Sequence, residues 1–201
     1  MLRTLFAAGL IAGLLTLSAR ADDKPKAPNP ADGLDAKMME AWMKHATPGP
    51  AHKLLDPLVG SWTYTGQAWM APGAPPTEMK GTAERKWIHG GRFLQGEYKG
   101  DFMGQTFEGF GLDGYDHSKK KYVGVWADNM TTSFSLAEGK TDDGGKTFHF
   151  WREGFDPTTG KLTKGHDVTK VIDKDHHEME MFEVQDGKEI KMMRLVYTRK
   201  K

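Results

Sequence analysis

Hydrophobic and polar positions alternate with a period of two almost without a break from Gly60 to Arg199. This is the pattern of β-strands that bury one face. Ten strands are predicted, at 60–70, 77–89, 91–100, 102–112, 120–128, 131–138, 146–153, 163–173, 175–185 and 188–199. Turn chemistry marks the joints: Gly73 to Pro76, Gly90-Gly91, Asp113-Gly114, Asp116-His117-Ser118, Asp142 to Gly145, Pro157 to Gly160 and Asp186-Gly187. Connections this short join antiparallel neighbours, so the strands form a meander. A meander of this length leaves two bare edges unless it closes on itself. The expected fold is therefore all-β, a closed antiparallel barrel of about ten strands.

The alternation also assigns faces. Trp62, Tyr64, Gly66, Ala68 and Met70 share one face of the first strand. Tyr122, Gly124, Trp126 and Asp128 share another, opposite Val123, Val125 and Ala127. Thr147, His149 and Trp151 oppose Phe148 and Phe150. The last strand is apolar on both faces, with Ile190, Met192 and Val196 against Met193, Leu195 and Tyr197. Such a strand calls for cover on the outside too, from a helix or from a second subunit in a homodimer.

Before the strands, the pattern changes. Leu34 to His45 places Leu34, Met38 and Trp42, with Met39 and Met43, on one helical face; Asp35 is its cap and Thr47-Pro48-Gly49-Pro50 its stop. A further helical turn is expected at His52 to Leu55. Residues 22–33, charged and proline-rich, read as a linker. Residues 1–21 read as a cleaved signal peptide: Arg3, an apolar run from Leu5 to Leu17, and Ala19-Arg20-Ala21 as the cleavage site. The expected location is the periplasm or the medium outside the cell, with residues 34–201 as a single domain. The apolar run is too short for a comfortable membrane span.

Two of the 28 basic residues lie in that leader and none of the 27 acids, so the remainder carries 26 against 27. A nearly neutral, mixed surface argues against nucleic acid as a partner, which needs a basic field. The chain has no cysteine, so its stability rests on its core, to which 6 Trp, 10 Phe, 5 Tyr and 12 Met contribute.

No nucleophile elbow, phosphate-cradling loop or paired-histidine metal motif occurs, and Asp113-Gly114-Tyr115-Asp116 lacks calcium-loop spacing. No catalytic residue is assigned, and no cofactor is identified. His149, between Phe148 and Phe150, is a candidate for a polar group inside an apolar barrel. His176-His177 point to opposite faces and cannot chelate one metal as a pair. Arg85, Trp87 and His89 share a face; if it points inward, Arg85 is placed to bind a carboxylate. The methionine clusters fit core packing, with Cu(I) ligation as the chemical alternative.

The segments L-x-x-L-V-G-S-W (55–62), G-G-R-F-L (90–94), G-F-G-L-D-G-Y-D (109–116), Y-V-G-V-W-A-D (122–128) and Y-T-R (197–199) resemble the bacterial domain of unknown function 1579 family. The resemblance spans about residues 35–200. It implies a lipocalin-like, calycin-type barrel and transfers no activity. In such barrels the G-x-W tryptophan packs against an arginine of the last strand, which implies barrel closure by Trp62 and Arg199, with Arg194 as the competing arginine.

The expected role is binding of a small apolar or amphiphilic molecule. The candidate lining is Tyr64, Trp87, Tyr98, Phe110, Trp126, Phe134 and Trp151, with Arg85 or His149 orienting a polar head. Two alternatives are a haem or copper protein using His149 or His176, and a non-catalytic interaction module.

Overall fold

A computed structural model describes residues 35–156 and 159–201. The leader expected at 1–21 and the linker expected at 22–33 lie outside the described residues. The chain divides into two units, Met1–Met39 and Glu40–Lys201. Helix α1 (Ala36–Ala46) spans the division. Its start is capped as the sequence implies, the Met38 N–H donating to Asp35 Oδ1 at 2.7 Å. Farther along it, Trp42 and Met43 are exposed.

The second unit holds a closed barrel of ten antiparallel strands: β1 (Gly60–Ala68), β2 (Thr77–Ile88), β3 (Phe93–Phe102), β4 (Gln105–Asp116), β5 (Lys121–Asp128), β6 (Ser135–Thr141), β7 (Thr147–Phe155), β8 (Leu162–Val171), β9 (His176–Gln185) and β10 (Lys188–Arg199). Each pairs with its sequence neighbours, and β1 pairs with β10 to close the ring. Closure leaves no bare edge.

Three local readings are corrected. Asp113-Gly114 is not a turn: both lie inside β4, paired with Leu94 and Phe93 on one side and Gly124 and Val123 on the other. The β4–β5 turn lies at residues 117–120, at the other expected signal, Asp116-His117-Ser118; the β3–β4 turn, which no turn signal marks, is made by Met103 and Gly104, both at positive φ (56° and 76°). The strand expected at 131–138 runs from Ser135 to Thr141, because Asp128 Oδ1 accepts from the N–H groups of Met130 and Thr131 and folds that stretch into a turn. The two apolar faces of β10 reflect a bulge between Lys191 and Met193, where Met192 is the extra residue, rather than strict alternation.

The core lies inside the barrel as two clusters. Trp62, Tyr64, Met79, Ala83, Leu195 and Tyr197 form one. Leu55, Leu58, Leu94, Tyr122 and Phe148 form the other. Leu55 and Leu58 come from the short connection before β1, where α2 (Pro50–Lys53) and a 3₁₀ turn, η1 (Asp56–Leu58), close one end. Tyr122 pins this plug, its hydroxyl donating to the Ala51 carbonyl at 2.9 Å. Sequence spacing expected one helical turn here, and not its function as a stopper.

Candidate functional site

The closed end is built around two residues far apart in sequence. Trp62 and Arg199 are register partners across the β1–β10 seam. Trp62 is fully buried, and its indole N–H donates to the Leu58 carbonyl at 3.1 Å. The Arg199 guanidinium lies 4.0 Å from the Trp62 ring centroid, a cation–π contact. It also donates to the carbonyls of Val59 (2.6 Å), Pro57 (3.0 Å) and Lys174 (2.8 Å). Gly60 is required beside it: its φ is +128°, and a Cβ there would collide with Arg199 Nη1. Arg194 does not share this place; it pairs with Glu178 at 2.8 Å.

Above the plug the barrel encloses a cavity of about 370 Å³. Its wall is largely aromatic and thioether, including Phe107, Trp126, Phe150, Met79, Met179 and Met193. Gly109 makes room for this wall, since a Cβ there would fall 2.6 Å from the Trp126 ring. Trp126 is oriented from the strand end, its N–H donating to Asp128 Oδ2 at 2.7 Å.

A polar cluster interrupts the apolar wall. Arg85 (β2) donates to Asp113 Oδ2 (β4) at 2.8 Å, with the Arg85 side chain almost completely buried. Tyr98 (β3), Tyr197 (β10) and His177 (β9) also line the cavity. The Tyr98 ring lies over Gly96, the register partner of Arg85. The His177 ring stacks on Tyr197 at 4.3 Å and meets the Trp62 edge at 4.4 Å. Tyr64 completes the cluster, its hydroxyl donating to the Lys99 carbonyl at 3.4 Å.

Burial sets the protonation of this cluster, because the charged forms are costly away from water. It pushes the Asp113 carboxyl above its ordinary range against the pull of Arg85, and keeps the Tyr98 and Tyr197 phenols protonated. Burial, then the charges of Arg85 and Arg199, hold His177 at about 3, so it is neutral at physiological pH. A second ion pair borders the cavity: Arg152 Nε donates to Asp167 Oδ2 at 3.0 Å, and burial raises the Asp167 carboxyl despite Arg152.

Of the residues expected to line a pocket, Tyr64, Arg85, Tyr98 and Trp126 border the cavity. Trp87 faces inward but packs with the plug cluster, its indole N–H donating to Asp56 Oδ1 at 2.8 Å. Four others are corrected. Phe110 is on the outer face, 41% exposed, and Phe134 lies before β6 at 74%. Trp151 and His149 point outward because Phe148, Phe150 and Arg152 occupy the inward positions of β7. His149 Nδ1 lies 3.0 Å from His166 Nε2, and Trp151 stacks on His166 at 5.0 Å. His149 therefore cannot orient a ligand or hold an iron inside the barrel. His176 is also outside, at 2.9 Å from both carboxylate oxygens of Asp173. Among the described residues no three His, Cys, Asp or Glu side chains are grouped to hold a metal ion.

Sequence reasoning missed Asp113, His177 and Tyr197 as site members. The signal for Asp113 was its place in the inward series Gly109, Gly111, Asp113, Tyr115, which the Asp-Gly turn reading concealed.

Among the described residues no helix is long and apolar enough to cross a membrane. No curated protein matches the chain. The fold is similar to that in the crystal structure of Rv2717c from M. tuberculosis, with a TM-score of 0.55 and 17% identity, covering 77% of this chain and 100% of that one. The likeness is one of fold. The family model described as protein of unknown function (DUF1579) matches residues 47–199, from the segment before the plug to the closing arginine, and the chain belongs to that family.

Proposed function

We propose that this protein binds one small apolar or amphiphilic molecule inside the barrel, with any polar end turned toward Arg85. The carrying observation is the cavity of about 370 Å³, apolar over most of its wall and polar at one cluster. Ligand pockets of roughly 300–1,000 Å³ with a few convergent polar groups are the usual form of such sites. The leader that the sequence pattern of residues 1–21 predicts supports action outside the cytoplasm, and with it a carrier or scavenger role for a molecule poorly soluble in water.

Native mass spectrometry of the protein purified from its own host tests this reading. The expected result is a retained small molecule. An apolar fluorescent probe should also quench or shift tryptophan emission, since Trp126 borders the cavity. A protein that is empty and indifferent to such probes would contradict it.

A further inference from the structure

The polar cluster is unbalanced in hydrogen bonding, and the imbalance selects a ligand head group. The guanidinium of Arg85 has five N–H donors, of which the described contacts use one, toward Asp113. Arg85 Nε is buried without an acceptor, and His177 Nδ1 is buried without a partner. No acceptor among the described residues receives the Tyr98 or Tyr197 hydroxyl. Both phenols are close enough to Arg85 to act on its charge. Buried donors without acceptors are costly. A group that only accepts relieves that cost, whereas an amine or ammonium adds donors to a site already rich in them.

We propose that this cluster takes the head of a carboxylic acid: its carboxylate accepts from the Arg85 guanidinium and the Tyr98 and Tyr197 hydroxyls, and Asp113 takes up a proton from solvent as the acid binds. The proposal rests on the ligand-binding reading above and names its substrate class. Proton uptake follows from charge. One buried guanidinium flanked by two carboxylates leaves a net negative charge in a low-dielectric interior, and like-charged carboxylates sharing a site raise one another's proton affinity.

Asp113 is faced by Arg85 from β2 and Tyr98 from β3, while its β5 neighbour is Gly124. His177 and Tyr197 act on Arg85 from the far side of the seam. Arg152 pairs with Asp167, and Asp128 is engaged by Trp126 and its own turn. Asp113 is the carboxylate that shares Arg85 with the incoming one, and so is the group placed to respond. Burial already raises its proton affinity, and the second anion raises it further.

The test compares decanoate with decanol by calorimetry in two buffers of different ionisation enthalpy. Decanoate should bind at least roughly tenfold more tightly, the worth of a hydrogen bond to a charged group. About one proton should be taken up per acid, so decanoate affinity should fall as pH rises. Tyr98→Phe and Tyr197→Phe, which keep the ring and the fold, should each weaken decanoate without a comparable change for decanol. Asp113→Asn, if it folds, should abolish the proton uptake. Equal binding of decanol and decanoate, or acid binding without proton uptake, overturns the proposal while the ligand-binding reading stands. If neither compound binds and an apolar probe also fails, both fall.

Discussion

Two arginines of the same barrel, Arg85 buried and Arg199 partly buried, are treated in opposite ways. Arg199 is matched at every turn: three carbonyls accept from it and an indole lies under it. Arg85 has one carboxylate, and a buried Nε with no acceptor among the described residues. A guanidinium whose donors are met locally fixes the fold, because any displacement loses several bonds at once. A guanidinium left with donors to spare is stabilised only when something else supplies the acceptors. The difference separates the closed end, where structure is spent on holding β1, β10 and the plug together, from the cavity, where it is left available.

The largest expected effect is at the closed end. Trp62→Ala should cost on the order of 3–5 kcal/mol, as a large aromatic lost from a packed core does, measurable by denaturant unfolding. Against a typical total of about 5–15 kcal/mol this endangers accumulation of the protein. Arg199→Met should cost less, about 1–3 kcal/mol at most, since the carbonyls left without donors at Val59 and Pro57 are only partly buried. The two substitutions should be non-additive, since each removes the same contact. Simple additivity would mean that the tryptophan and the arginine do not act as one closure.

His177 sharpens the contrast from the seam between the two regions. Its folded value is depressed to about 3, so the unfolded chain binds a proton that the folded chain refuses. Its stabilising contribution is present above about pH 6.5 and is lost as pH falls toward 3, at up to about 1.4 kcal/mol per pH unit. Asp113 and Asp167, both raised, act in the opposite sense at the acid end. Urea unfolding between about pH 7 and pH 5 should therefore show the loss, and His177→Gln should flatten it. The smallest effect belongs to the outer surface: Phe134→Ser should change stability by less than about 0.5 kcal/mol.

The barrel was legible because period-two alternation and short turns leave few other topologies, and the G-x-W with the final arginine located the seam. The site was half legible. Tyr64, Arg85, Tyr98 and Trp126 lie on faces whose inward sense follows from the closed register. His149 and Trp151 were assigned inward because an imidazole between two phenylalanines looks enclosed; in fact the phenylalanines take the interior and the imidazole lies outside. Asp113 is hidden by an Asp-Gly turn signature, whereas the β4–β5 turn lies farther on, at residues 117–120. The ion pair with Arg85 is a contact between non-adjacent strands, which no local pattern reveals.

The most direct measurement replaces the cavity pair together, Arg85→Leu with Asp113→Leu, and follows unfolding with and without decanoate. Replacing a buried ion pair by apolar side chains is often neutral or stabilising by about 1–4 kcal/mol. The double variant should therefore be at least as stable as the parent, yet lose the stabilisation that decanoate gives the parent. A double variant that unfolds as easily as Trp62→Ala, or that decanoate still stabilises, would contradict the division between an arginine that holds the barrel and one that serves the ligand.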